Sequence, residues 1–117
     1  SNTQWQRDLS VSYNKIGSVQ SSQGDGLGAL ESYRKDLAIA EKLAARDPAN
    51  TRWQRDVAVS YAKMGGLAIE LSDRVLARQY FERGFAIMNC LTEIVPTNIQ
   101  WKRDLDMFER SIKAMDS

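Results

Sequence analysis

Three arginine–aspartate pairs, each placed just after a tryptophan, are the side chains of this sequence best suited to ionic chemistry. They stand at Trp5-Gln6-Arg7-Asp8, Trp53-Gln54-Arg55-Asp56 and Trp101-Lys102-Arg103-Asp104, with successive copies 48 residues apart. A guanidinium is a planar fork of donors that fits a carboxylate. Catalysis has far less to draw on. The chain has no histidine, which removes the usual general base and the commonest transition-metal ligand. Cys90 is the lone cysteine, close to Met88 and Leu91, and without an activating base it reads as a small buried hydrophobe. The Gly24-Asp25-Gly26-Leu27-Gly28 run has the glycines of a phosphate loop but lacks the Lys-Ser/Thr ending and a preceding strand. Asp104 and Asp106 are two apart, so on a helix they point away from each other. Neither an enzyme nor a cofactor or metal is expected.

The elements that must position these arginines follow from the period. A fixed spacing in the range of roughly 20–50 residues marks stacked repeats. From Trp5 to Gly17 and from Trp53 to Gly65, nine of thirteen aligned positions are identical. Trp5, Leu9, Tyr13 and Ile16 share one helix face, and Trp53, Val57, Tyr61 and Met64 repeat it. Asn2, Asn50 and Asn98 stand in register as N-caps, and Pro48 and Pro96 end the preceding helices. A second apolar stripe follows in each unit, through Leu27, Leu30, Tyr33, Leu37, Ala40 and Leu43, then Val75, Phe81, Phe85, Met88 and Leu91. Asp25 and Asp73 precede these stripes as further caps. The expected fold is all-α, with helices over 3–22, 25–46, 51–70, 73–94 and 99–115. They form stacked antiparallel hairpins: repeat one 1–48, repeat two 49–96, and a capping helix in 97–117. In the third copy Glu109 replaces the tyrosine and Lys113 the glycine, giving the polar outer face that a finite array needs.

Gly17, Ala29 and Tyr33, and again Gly65, Ala77 and Phe81, resemble the glycine, small residue and aromatic of the tetratricopeptide-repeat pattern. Tyr13 and Ile16, with Tyr61 and Met64, supply the large residues before each glycine. The unit is longer than the usual ~34 residues and is similar to long units in arrays of large bacterial multidomain proteins. The resemblance implies an α-solenoid whose first helices line a groove for a peptide or partner domain. Carried onto this chain, the groove stripe is Val11, Asn14, Ser18 and Ser21 in copy one. In copy two it is Val59, Ala62, Gly66 and Ile69, with Lys15 and Lys63 flanking. Arg7 and Arg55 lie one turn earlier, and Arg103, Met107 and Arg110 continue the stripe in the capping helix. Asn14 holds one place of the family's carboxylate clamp, but Ser18, Ala62 and Gly66 do not complete it.

Two roles are open to the arginines: each locks onto an aspartate of the adjacent repeat, or they grip an acidic or C-terminal carboxylate of a ligand. The function expected is protein–protein interaction. The alternative is a purely structural spacer or oligomerisation element of a multidomain bacterial signalling protein. A net charge of +1 offers no electrostatic reason for a nucleic-acid or membrane partner. No apolar run approaches the ~20 residues that span a bilayer, and a single cysteine fits a reducing cytoplasm. The sequence opens in phase with the repeat, which reads as the C-terminal piece of a longer array, with Ser1-Asn2 a remnant of tag cleavage; the alternative is a natural first repeat that lacks a cap. Its first hairpin is then expected to expose an apolar edge that drives homo-oligomerisation.

Overall fold

Short polar side chains set four of the helix starts. In the computed structural model, which describes residues 2–116, Asn50 and Asn98 accept hydrogen bonds from the Trp53 and Trp101 amides. Asp25 and Asp73 accept from the Gly28 and Leu76 amides, and all four bonds are 3.0 Å long. Each satisfies a donor that the first turn leaves without an intrahelical partner, worth about 1 kcal/mol. They open α2 (Gly26–Arg46), α3 (Thr51–Glu70), α4 (Arg74–Ile94) and α5 (Ile99–Met115). Helix α1 (Asn2–Ser22) differs, because Asn2 is already helical and is not the cap its register predicts. Pro48 and Pro96 each follow a C-cap, Asp47 and Val95, where a residue without an amide proton ends the helix. No strand occurs among the described residues.

Each helix packs against the next in chain order. Arg46, at the end of α2, reaches Gln6 at the start of α1 (3.4 Å), and Arg74, opening α4, reaches the Ala114 carbonyl late in α5 (3.0 Å). Neighbours therefore run antiparallel. Helices α1, α3 and α5 lie side by side, with α2 and α4 on one side of them. The slab measures 38 × 36 × 19 Å, about two helix diameters thick. Its core is pinned where aromatic rings enter glycine notches. A Cβ on Gly17, Gly65 or Gly84 would lie 2.6, 2.5 or 2.2 Å from the rings of Tyr33, Phe81 and Phe108. The glycine–aromatic spacing of the sequence is thus a close approach of paired helices.

Two expectations about burial fail. Val57, Tyr61 and Met64 are buried, but on the equivalent face of α1, Trp5 and Ile16 are 66% and 48% exposed. Helix α2 covers the face of α3, whereas that of α1 is covered only in part: Leu9 and Tyr13 are half-buried, with Lys35 Nζ of α2 5.5 Å from the centre of the Tyr13 ring. Leu27 and Val75, assigned to the second stripes, are also well exposed, since they sit in the first turns of α2 and α4 at the slab's rim. No helix among the described residues is long and apolar enough to cross a membrane.

Candidate functional site

Side chains of α1, α3 and α5 meet at a separation of 49 residues, one more than the period. Arg7 Nε lies 3.3 Å from Asp56 Oδ2, and Arg55 Nε lies 2.7 Å from Asp104 Oδ2. The arginines of the first two motifs each pair with the aspartate of the next. These partly exposed pairs add up to about 1 kcal/mol each, and they link α1 to α3 and α3 to α5. Arg103 and Arg110 are exposed on α5, and the Arg110 Nε donates to the Asp106 carbonyl at 3.5 Å.

Beside this ladder a cleft of about 200 Å³ opens between α1 and α3. Arg7, Val11, Asn14, Val59 and Lys63 of the expected groove all line it. Its floor is Asp36 of α2, only 4% exposed. The carboxylate accepts hydrogen bonds from Ser10 Oγ, from Asn14 Nδ2 at 3.0 Å and from Ser60 Oγ at 3.2 Å. Lys63 Nζ in turn donates to Asn14 Oδ1. A carboxylate held this far from water persists only with such donors. Among the described residues no buried side-chain nitrogen or oxygen lacks a partner.

One repeat further on, a second cleft of about 250 Å³ lies between α3 and α5, floored by Met88 and Phe108 and walled by Ala58, Ala62 and Met107. Val59 and Lys63 line both clefts. The aligned positions have changed chemistry together: Ser10, Asp36 and Ser60 become Ala58, Gly84 and Phe108. The Phe108 ring fills the notch of Gly84, where repeat one holds its carboxylate. Ser18 and Ile69 line neither cleft; the Ser18 hydroxyl sits 3.2 Å from that of Tyr33, and Ile69 is exposed. The Asp36 cluster escaped the sequence reading, although three aligned positions changing at once was a signal that could have found it.

On the α2/α4 side a larger hollow of about 540 Å³ is lined by Ala86, Ile87, Cys90 and Ile94 with the Pro48-Ala49 turn. Cys90 is exposed there, not buried as expected. Met88 and Leu91 face the core, and Cys90 is turned well away from both on a 3.6-residue helix. Tyr61 lies against Tyr80 with ring centroids 6.2 Å apart. Its hydroxyl pKa is raised above the usual 10.0, chiefly by burial, with Glu41 adding to the rise and Arg83 opposing it. Among the described residues no group of three or more His, Cys, Asp or Glu could hold a metal ion. Neither a protein-family model nor a curated protein sequence matches this chain, and the use of this face rests on its own geometry.

Proposed function

We propose that the chain is a non-catalytic, tetratricopeptide-like α-solenoid that binds a peptide or partner domain across the α1–α3–α5 face. The observation that carries this reading is the pair of adjoining clefts, one with a polar floor and one with an apolar floor, one repeat apart. A segment crossing the helices meets Asn14, Lys63 and the Asp36 cluster, then the hydrocarbon of Met88, Met107 and Phe108. The matching ligand carries a hydrogen-bonding side chain and an apolar one roughly 8–10 Å apart, the usual spacing of packed helices. Burial of the apolar group supplies affinity and the polar group fixes direction. Asp56 and Asp104 cancel the charge of Arg7 and Arg55, so a nucleic-acid backbone finds no basic stripe. Lys102, Asp106, Glu109, Arg110 and Lys113 are all exposed on α5, which supports its role as a cap.

Val59 is half-buried and borders both clefts, so Val59→Arg obstructs both without opening the core. A random-peptide library selected on the protein should yield a shared motif, and its Kd should rise at least about tenfold for Val59→Arg at unchanged helicity. Selection that yields no motif, or peptides that bind the variant equally well, would end the groove reading. The architectural alternative is favoured by the arginine ladder. On that view Arg7→Glu with Arg55→Glu lowers the unfolding midpoint and leaves no bound peptide to lose.

A further inference from the structure

Helix α3 receives the α1–α2 hairpin through a defined set of polar contacts. Gln54 Nε2 donates to the Ala44 and Pro48 carbonyls, both at 3.4 Å. Asp56 takes Arg7, Ser60 donates to Asp36, Lys63 donates to Asn14, and Glu70 accepts from Ser21 at 3.1 Å. Forty-eight residues earlier, α1 carries Gln6, Asp8, Ser12 and Lys15, identical to the first four of that set, with Ser22 in place of Glu70. Helix α5 receives repeat two and carries Lys102, Asp104, Phe108 and Ser111 at those places, keeping only the aspartate.

The apolar row tells the same story. Met64 and Leu67 of α3 are 1% and 3% exposed, whereas Ile16 and Val19 of α1 are 48% and 54% exposed. Asp8 and Ser12 are exposed as well and make local bonds. Gln4 donates to Asp8 at 2.9 Å, and Ser12 donates to the Asp8 carbonyl within its own helix at 3.0 Å.

We propose that the open face of α1 docks one further helical hairpin of the repeat-one type, whose counterparts of Arg7, Asn14 and Asp36 engage Asp8, Lys15 and Ser12. A hairpin of the repeat-two type presents Arg55, Ala62 and Gly84 at those places and satisfies only Asp8. Two copies meeting α1 to α1 leave Asp8 without a guanidinium, because Arg7 is already held by Asp56. Of the residues it engages only Lys15 also borders a cleft; Asp8 and Ser12 lie outside both, and the proposal does not depend on the peptide reading.

The test joins residues 1–48 ahead of the full chain, so that Ser1 follows Pro48 and the period is kept. The added copy carries Trp5→Phe, which distinguishes by mass the peptides that span position 5 in the two copies, and a comparison chain carries residues 49–96 in the same place. Hydrogen exchange should slow across the original α1 by at least about tenfold in the first chain and less in the second. The first chain should also unfold in one transition at a higher urea midpoint. Asp8→Arg in the original copy should abolish the gain, and Arg7→Asp in the added hairpin should restore it. Equal protection by both added hairpins, or an added hairpin that stays unfolded, overturns the proposal. So does self-association of the unextended chain in sedimentation that protects α1 to the same degree.

Discussion

Asp36 keeps a carboxylate almost out of water because three side-chain donors converge on it, while its counterpart Gly84 makes room for an aromatic ring. Single atoms decide the sign of a substitution elsewhere in the same way. Gly65 and Gly66 are neighbours on α3 with opposite demands. A Cβ on Gly65 would lie 2.5 Å from Phe81, whereas one on Gly66 meets nothing within 4 Å. Gly65→Ala should therefore lose about 1–3 kcal/mol through overpacking. Gly66→Ala should gain about 0.5–1 kcal/mol by stiffening the unfolded chain. Urea unfolding of both variants checks this, and a shared sign would contradict it. The role of Gly65 was legible because the repeat sets Gly17 with Tyr33 and Gly65 with Phe81 at one separation. That of Gly66 was not, since open space around a residue is a property of its neighbours.

At the scale of elements, helix limits were the most legible feature, because Asn50, Asn98, Asp25 and Asp73 act within their own first turns. Asn2 broke the pattern. The turns after α1 and α3 place Gly24 at φ 81° and Ser72 at φ 62°, equivalent positions in the two repeats. A left-handed conformation costs a residue with a Cβ roughly 1–2 kcal/mol, and glycine removes that penalty. Ser72→Gly should raise the thermal midpoint, with a gain near 1 kcal/mol after its own entropy loss. An unchanged or lower Tm would show that Ser72 makes a compensating interaction. The expected groove was legible in part. Val11, Asn14, Val59 and Lys63 do converge, because a helix face follows from spacing alone. Ser18, Ile69, Arg103 and Arg110 do not line the clefts, because which part of a face meets a neighbouring helix depends on how the helices cross.

Across the whole molecule, the two junctions between neighbouring units fall at aligned positions with two chemistries, polar at Ser10, Asp36 and Ser60 and apolar at Ala58, Gly84 and Phe108. Asp36→Gly alone should lose about 3 kcal/mol, since it strands the hydroxyls and amide that donate to the carboxylate. Adding Ser10→Ala and Ser60→Phe converts the first junction to the second and should recover more than half of that loss. Chemical denaturation of the single and triple variants measures this; a triple variant no better than the single would show that the junctions differ in backbone geometry. The 48-residue period and the residues within it were enough to specify five helices and their order, because periodicity, caps and prolines act over a few neighbouring positions. Only the tertiary structure decided that Asp36 is buried, that Trp5 and Cys90 are exposed, and that Arg7 and Arg55 reach across to the next motif's aspartate. Burial and partner choice are set by the surfaces that distant segments bring together, and those surfaces do not exist until the helices have packed.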